Sequence, residues 1–365
     1  MSSISESAQQ TIPGYPYDRE ALRDTLRTLD QTPGVSKPDP ILTVDNIERK
    51  FGGMTAVDVK HLEVQRGAIT ALIGPNGAGK TTFFNLLTGF DKPSKTKGAP
   101  LAQWSFEGVS LGRTNATKVA RAGMIRTFQL TKALSRMTVL ENMLVGARDQ
   151  PGENLFVGLI KPLWIKRERE NIERAEDLLR RFKLDAKRDD MAGSLSGGQK
   201  KLLEMARALM ANPSMIMLDE PMAGVNPALT QSLLDHIQML RDEGTTVLFV
   251  EHDMHMVRHI SDWVVVMAQG QLIAEGLPED VMGSEAVVDA YLGLTTIGIW
   301  VTTTCSQPGL CGRSRRRSLK KRRRTMRRKR DDRDDRHCDA RGSPRRGVSA
   351  GHQYSQRLLA RSAPW

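Results

Sequence analysis

The sequence predicts an α/β fold built on a parallel sheet, with a smaller antiparallel β portion and a helical insertion. Three observations carry this. Short, mostly apolar runs at 69–73, 215–218 and 245–250, interrupted only by threonine, read as strands buried on both faces. Helix-period segments follow them, and such alternation builds a parallel sheet with helices on both faces. The first run leads directly into Gly74-Pro75-Asn76-Gly77-Ala78-Gly79-Lys80-Thr81-Thr82, a Gly-x-x-x-x-Gly-Lys-Thr pattern set between a strand and a helix.

Taken in order, residues 1–40 read as a solvated, disordered leader, with prolines at 13, 16, 33, 38 and 40 bracketing one short helix near 18–30. The first residues lack the basic and then apolar pattern of a secretory signal. Order is expected from Ile41, with strands at 41–44 and 64–73 and turns at Gly52-Gly53 and Arg66-Gly67. Phe51 lies between them. It could stack on a nucleotide base or sit half-buried in a strand, and spacing alone leaves both open. A helix follows at 82–88. Residues 91–123 are hairpin-like through Trp104-Ser105-Phe106 and Glu107-Gly108, then form a short helix capped by Thr114 or Asn115.

After Arg126-Thr127-Phe128-Gln129 the chain is mainly helical from 139 to 184. Ile172, Ala175, Leu178, Leu179 and Phe182 mark one helix face. Residues 154–165 are unusually apolar, and serve either as core or as a patch for a partner. Leu195-Ser196-Gly197-Gly198-Gln199 introduces a helix at 200–210. The strand at 215–218 ends in Asp219-Glu220-Pro221, and a helix follows at 227–242. The strand at 245–250 ends in Glu251-His252-Asp253 before a helix at 254–260. A hairpin turns at Gly270, and 287–292 closes the ordered body.

Charge is unevenly spread. The chain of 365 residues carries 54 Lys+Arg and 42 Asp+Glu, but residues 294–365 alone hold 20 basic and 5 acidic residues. The basic pI therefore belongs to the tail, and the body has a slight acidic excess. All three cysteines lie in the tail, so the body has no disulfide framework or thiolate metal site, as suits a reducing cytosol. No apolar run reaches the length of a membrane span. The stretch RSRRRSLKKRRRTMRRKR, 313–330, has almost no apolar content and is expected to be disordered. It has no interleaved aromatics for base stacking, so no specific nucleic-acid partner is expected.

The chemistry follows from the residue types. Glycines at 74, 77 and 79 let backbone N–H groups converge on an anion, and the helix N-terminus adds its positive dipole end. Lys80 places a charge near the β- and γ-phosphates, and the Thr81 hydroxyl suits Mg²⁺. Asp219, at the carboxyl end of a buried strand, suits the same ion, and Glu220 the attacking water. Gln129 offers an uncharged oxygen able to reach both, and His252 a hydrogen bond to the γ-phosphate. His255 and His259 extend His252 along a helix. Without cysteine partners they are read as solvent-facing or core residues rather than metal ligands.

The order of these pieces, from phosphate loop through RTFQ, LSGGQ and LDEP to EHD, resembles the ATP-binding subunits of ABC transporters over residues 41–293. The resemblance implies a phosphate-loop ABC ATPase with a RecA-like parallel-sheet core, an antiparallel β subdomain and an α-helical subdomain at about 130–195. It implies that Phe51 stacks on adenine, that residues 74–82 cradle the phosphates of ATP, and that Gln129 faces a transmembrane permease. It implies that Glu220 is the catalytic carboxylate. It also implies that Ser196, Gly197, Gly198 and Gln199 cap ATP held by a second ATPase subunit, an identical copy or a paralogue.

A narrower resemblance, to the ATPase of branched-chain amino-acid importers, rests on four stretches. They are GPNGAGKTTFFNLLTGF, RTFQLTKALSRMTVLENMLVGAR, LDEPMAGVNP with its Asn226, and EGLPEDVMGSEAVVDAYLG. It implies a peripheral subunit on the cytoplasmic face of a bacterial cell membrane, served indirectly by a periplasmic or extracellular substrate-binding protein. Urea and amide importers share much of this pattern. The lipopolysaccharide-export ATPase, and soluble ABC ATPases acting on nucleic acid or ribosomes, fit it less well. The family pattern ends at residues 292–293, and the tail lies beyond it.

Overall fold

The computed structural model describes residues 19–94, 98, 100–112, 114–127, 133–148 and 161–292, all within one unit of the chain, residues 1–299. The short helix read near 18–30 forms as α1 (Arg19–Arg27), but it packs on the body and is not part of a solvated leader. Leu22 and Leu26 share one face and are 7% and 1% exposed. Arg23 donates to Asp262 at 3.2 Å, the Gly34 N–H to Glu275 at 2.8 Å, and Lys37 to the same carboxylate at 2.6 Å. Buried leucines and paired charges thus outweigh the disorder suggested by proline content. Residues 1–18 of that segment lie outside the described residues.

Two long strands follow, β1 (Pro40–Phe51) and β2 (Met54–Gln65), paired antiparallel. β1 runs further than its first apolar residues suggest. Asp45 and Asn46 break the alternation, but Ile47 returns to the core, and Asn46 takes φ 52. β3 (Ile69–Ile73) is buried at every residue and leads into α2 (Lys80–Leu87). β4 (Gln103–Phe106) and β5 (Val109–Ser110) complete a four-stranded antiparallel sheet in the order β2-β1-β4-β5. α3 (Ala116–Ala122) is capped by the Asn115 side chain, and β6 (Met124–Arg126) follows.

The helical portion is inserted after β6. α4 (Val139–Val145) opens with a capping box of Thr138 and Glu141, and α5 (Lys161–Arg181) buries Ala175, Leu178 and Leu179. α6 (Gly197–Leu209) returns the chain to the sheet. β7 (Met215–Asp219), α7 (Pro227–Asp242), β8 (Thr246–Val250), α8 (Met254–Ile260), β9 (Trp263–Ala268) and β10 (Gln271–Gly276) then alternate as expected. Short helices α9 (Pro278–Met282) and α10 (Glu285–Leu292) end the described chain.

The main sheet has six strands in the order β10-β9-β3-β8-β7-β6. Only the β9–β10 pair is antiparallel. One apolar cluster joins a face of this sheet to α4, α5, α6 and α7, and a second joins its other face to the antiparallel sheet and α2. The chain crosses between strands so that β3, β8 and β7 lie side by side. This sets the functional edge.

Candidate functional site

The loop after β3 owes its shape to two close approaches. A Cβ on Gly74 (φ 150) would stand 2.0 Å from the Met267 carbonyl oxygen, and one on Gly79 (φ 103) 2.3 Å from that of Ala56. Larger residues are excluded there, and the loop sits tightly on β9 and β2. Asn76, Gly77 and Thr81 are exposed, Pro75 and Thr82 half-buried, and Ala78 buried. Lys80 is only 6% exposed. Its Nζ donates to the Gly74 and Pro75 carbonyls at 2.6 and 3.0 Å, so the cation sits within the loop. Burial lowers the Lys80 pKa, while the charges of Glu220 and Asp219 oppose that shift.

Those two carboxylates stand at the end of β7, which β8 separates from β3 in the sheet. Leu72 of β3 and Asp219 of β7 are both in register with Val250 of β8. Since the three strands are parallel, Gly74, Glu220 and His252 emerge at one edge, where open α/β sheets bind ligands. Asp219 is 4% exposed. Its Oδ2 accepts from Arg126 at 2.6 Å, and Arg126 also donates to Asn85 of α2 at 2.6 Å. The other oxygen, Oδ1, is buried with no hydrogen-bond partner among the described residues. An orphaned carboxylate oxygen and, on the phosphate loop, the exposed Thr81 hydroxyl are oxygen donors of the kind that fit a hard divalent cation.

Glu220 takes φ 49, a conformation that costs a side-chain-bearing residue energy. Its backbone N–H donates to the Val250 carbonyl at 3.0 Å, and its Oε1 lies 2.6 Å from His252 Nε2. Lys201 of α6 donates to the carbonyls of Glu220, Pro221 and Ala223. Burial lowers the Lys201 pKa, and nearby Glu251, Glu204 and Glu220 raise it. Glu251 accepts backbone N–H groups from Met222 at 2.9 Å and His252 at 3.2 Å.

The remaining sequence candidates lie on other elements. Phe51 is 47% exposed at the end of β1, with the Arg49 guanidinium 4.6 Å from its ring centroid. Roughly half of it is thus open to a ligand, and its hairpin abuts the phosphate loop where Ala56 meets Gly79. Ser196 caps α6: its Oγ accepts from the Gln199 N–H at 3.3 Å, and Gln199 reciprocates to the Ser196 N–H at 3.0 Å. Ser196 and Gly197 are exposed, Gly198 and Gln199 partly so. Gln129 lies outside the described residues, as do residues 154–160 of the apolar stretch. Sequence alone assigns no role to Arg126, Lys201 or Glu251. For Glu251 there was a signal: an acidic residue directly after the four apolar residues Val247–Val250.

The sequence profile described as ABC transporter matches residues 57–223. The probable branched-chain amino acid transport ATP-binding protein LivG of Archaeoglobus fulgidus is 41% identical over 253 residues, 69% of this chain and 95% of that protein. The chain belongs to the ABC transporter ATP-binding family.

Other members of the family agree. The high-affinity branched-chain amino acid transport ATP-binding protein BraF of Pseudomonas aeruginosa is 41% identical over 256 residues, 70% of this chain and 98% of BraF. LivG of Escherichia coli is 42% identical over 257 residues, again 70% and 98% of the two chains. Residues 271–293 match the profile described as branched-chain amino acid ATP-binding cassette transporter. A nucleotide-free ATP-binding cassette from an ABC transporter superposes with a TM-score of 0.59 at 39% identity, covering 69% of this chain and 98% of that one. A cassette in its ADP conformation gives 0.59 at 38%, covering 70% and 99%. This ABC protein is thus an ATPase coupled to transport, with an α/β fold. Among the described residues, no helix is long and apolar enough to cross a membrane.

Proposed function

We propose that this ATPase drives import of branched-chain amino acids, and that hydrolysis takes place at the shared edge of β3, β8 and β7. The observation that carries the chemistry is the 2.6 Å contact between Glu220 Oε1 and His252 Nε2, at strand ends aligned with the phosphate loop. The cargo is supported by the relatives, which are named for branched-chain amino acid transport.

In this reading residues 74–82 hold the β- and γ-phosphates through backbone N–H groups, and Lys80 turns from its loop carbonyls to the phosphates. Phe51 stacks on adenine. Glu220 accepts a proton from the attacking water as the bond from the γ-phosphorus to the bridging oxygen breaks. His252 holds that carboxylate until a γ-phosphate oxygen competes for the same ring nitrogen. Thr81 and Asp219, with Gln129, are the residues that would hold Mg²⁺, which when bound neutralises charge on the phosphate oxygens.

Ser196–Gln199 has no such role within one protomer. Its exposed helix N-terminus suits the γ-phosphate of ATP on a second subunit, an identical copy or a paralogue, so ATP closes a dimer. A groove lined by Ile125, Thr127, Val145, Arg207 and Ala208 opens between the end of β6, α4 and α6, and Val145 is 55% exposed within it. This groove is the proposed seat of a membrane permease. The subunit then works peripherally at the cytoplasmic face, and a substrate-binding protein serves the permease from the other side.

Uptake of labelled leucine in cells lacking this gene tests the reading. Rescue by the wild type and none by Glu220→Gln is expected, with Glu220→Gln still binding ATP. Wild-type turnover by Glu220→Gln would remove Glu220 from its role. Normal leucine uptake with loss of urea uptake would overturn the cargo and leave the ATPase chemistry.

A further inference from the structure

A buried carboxylate needs a reason. Glu251 is 5% exposed, between the apolar strand β8 and the exposed His252. Its two oxygens serve two different segments. Oε1 accepts the Met222 N–H at 2.9 Å, two residues beyond Glu220, and Oε2 accepts the His252 N–H at 3.2 Å. The side chains of Glu220 and His252 meet at 2.6 Å. These bonds close a ring running from Glu220 through Pro221 and Met222 to Glu251, then to His252 and back to Glu220.

The ring acts on a strained point. Glu220 holds φ 49, and relaxation of that backbone would swing its carboxylate away from His252 and the phosphate loop. The turn is gripped from both polarities. Lys201 takes its carbonyl oxygens, and Glu251 takes the amide hydrogen of Met222. The Lys201 and Glu251 charges also attract each other across this small space. Burial pushes the Glu251 pKa up, and the two backbone N–H groups oppose that shift.

We infer that Glu251 is a positioning residue for ATP hydrolysis, a carboxylate clamp that fixes the Glu220 turn against the His252 loop. This rests on the reading of Glu220 as the group that takes the proton from water. The hydrogen bonds of Glu251 go to the Met222 and His252 amides and not to the phosphate loop that supplies most of the phosphate contacts, so the clamp acts on turnover far more than on ATP binding.

The test is a double-mutant cycle on the full chain, with kcat and KM for MgATP measured for wild type, Glu251→Gln, Glu220→Gln and the double variant. Gln at 251 keeps the shape but presents an NH₂ to one of the two N–H donors. It should lower kcat by about 10- to 100-fold, the scale of a small misplacement of a reacting group, with KM changed less than about two-fold. In the Glu220→Gln background the same substitution should change residual turnover by less than about two-fold, because the clamp acts through Glu220. Glu251→Asp retains the charge but is too short to span both N–H groups, and should repeat the kcat defect. It takes the place of the Gln form if that form is not folded by circular dichroism. A kcat within two-fold of wild type in the folded variants overturns the clamp. So does an equal fold-loss with and without Glu220, which would mark a general structural role. Wild-type turnover by Glu220→Gln alone overturns instead the role of Glu220, and is read from a separate arm of the cycle.

Discussion

At the residue scale, what is legible in the sequence depends on whether a group's partners are contiguous in the chain. The phosphate loop is a local motif, so its glycines, Lys80 and Thr81 are readable from spacing. Arg126 sits within a recognisable motif but its task is hidden, because its partners Asn85 and Asp219 lie 41 and 93 positions away. Nothing in the sequence singles out His236. It is 7% exposed, its Nε2 is buried with no hydrogen-bond partner among the described residues, and its ring lies 4.3 Å from that of Phe182. Burial lowers its pKa from 6.5, and the Lys183 and Arg181 charges add to the shift. The folded chain therefore binds this proton less readily than the unfolded chain. Stability rises with pH through the window between the depressed folded value and 6.5, and is lost as pH falls through it. The slope from one such group is at most about 1.4 kcal/mol per pH unit. His236→Leu should flatten that part of the profile. Thermal midpoints of both proteins from neutral pH downward check this, and parallel curves would dismiss His236 as the source.

At the element scale, the parallel strands are the easiest to read, since a continuous apolar run of five or so residues bounded by turn residues is too short for a buried helix and fits a strand covered on both faces. The helices of the insertion are legible as helices, but their mutual packing is not. Gly146, at the end of α4, is an example. Its φ is −78, so no special backbone freedom is needed. A Cβ there would stand 2.3 Å from the Arg207 carbonyl oxygen and 2.9 Å from the Arg207 Cγ. The glycine lets α4 approach α6, the helix that carries Ser196–Gln199 at one end and Lys201 on its flank. Gly146→Ala should force the helices apart and cost about 1–3 kcal/mol, as overpacking does. A denaturant midpoint lowered at unchanged m-value is the expected observation. Unchanged stability would mean that the Arg207 backbone yields freely.

At the scale of the whole molecule, the amino-terminal segment is where composition misleads most. Prolines and polar residues suggest a leader detached from the fold, whereas α1 and the approach to Lys37 cover the β9 side of the sheet. The decisive contact is ionic and dry. Lys37 and Glu275 have side chains 1% and 0% exposed and meet at 2.6 Å, with the Trp263 Nε1–H donating to the same carboxylate at 2.9 Å. A buried pair adds little net stability over apolar residues, but a buried charge stripped of its partner is costly. A chain beginning at Pro40 loses Lys37 and the Gly34 N–H from Glu275, and Arg23 from Asp262. It should be less stable by about 3–5 kcal/mol, the range for breaking a buried pair from one side. Among the described residues, none of these contacts reaches the phosphate loop, Glu220 or His252, so kcat at low temperature should match the full chain. Adding Glu275→Gln to the shortened chain removes the uncompensated charge and should recover part of the loss. The same substitution in the full chain strands Lys37 and should destabilise it. Opposite signs for one substitution in two backgrounds, read from urea midpoints, would establish the segment as an ionic strap on the ATPase body. A shortened chain as stable as the full one would return it to the status of a leader.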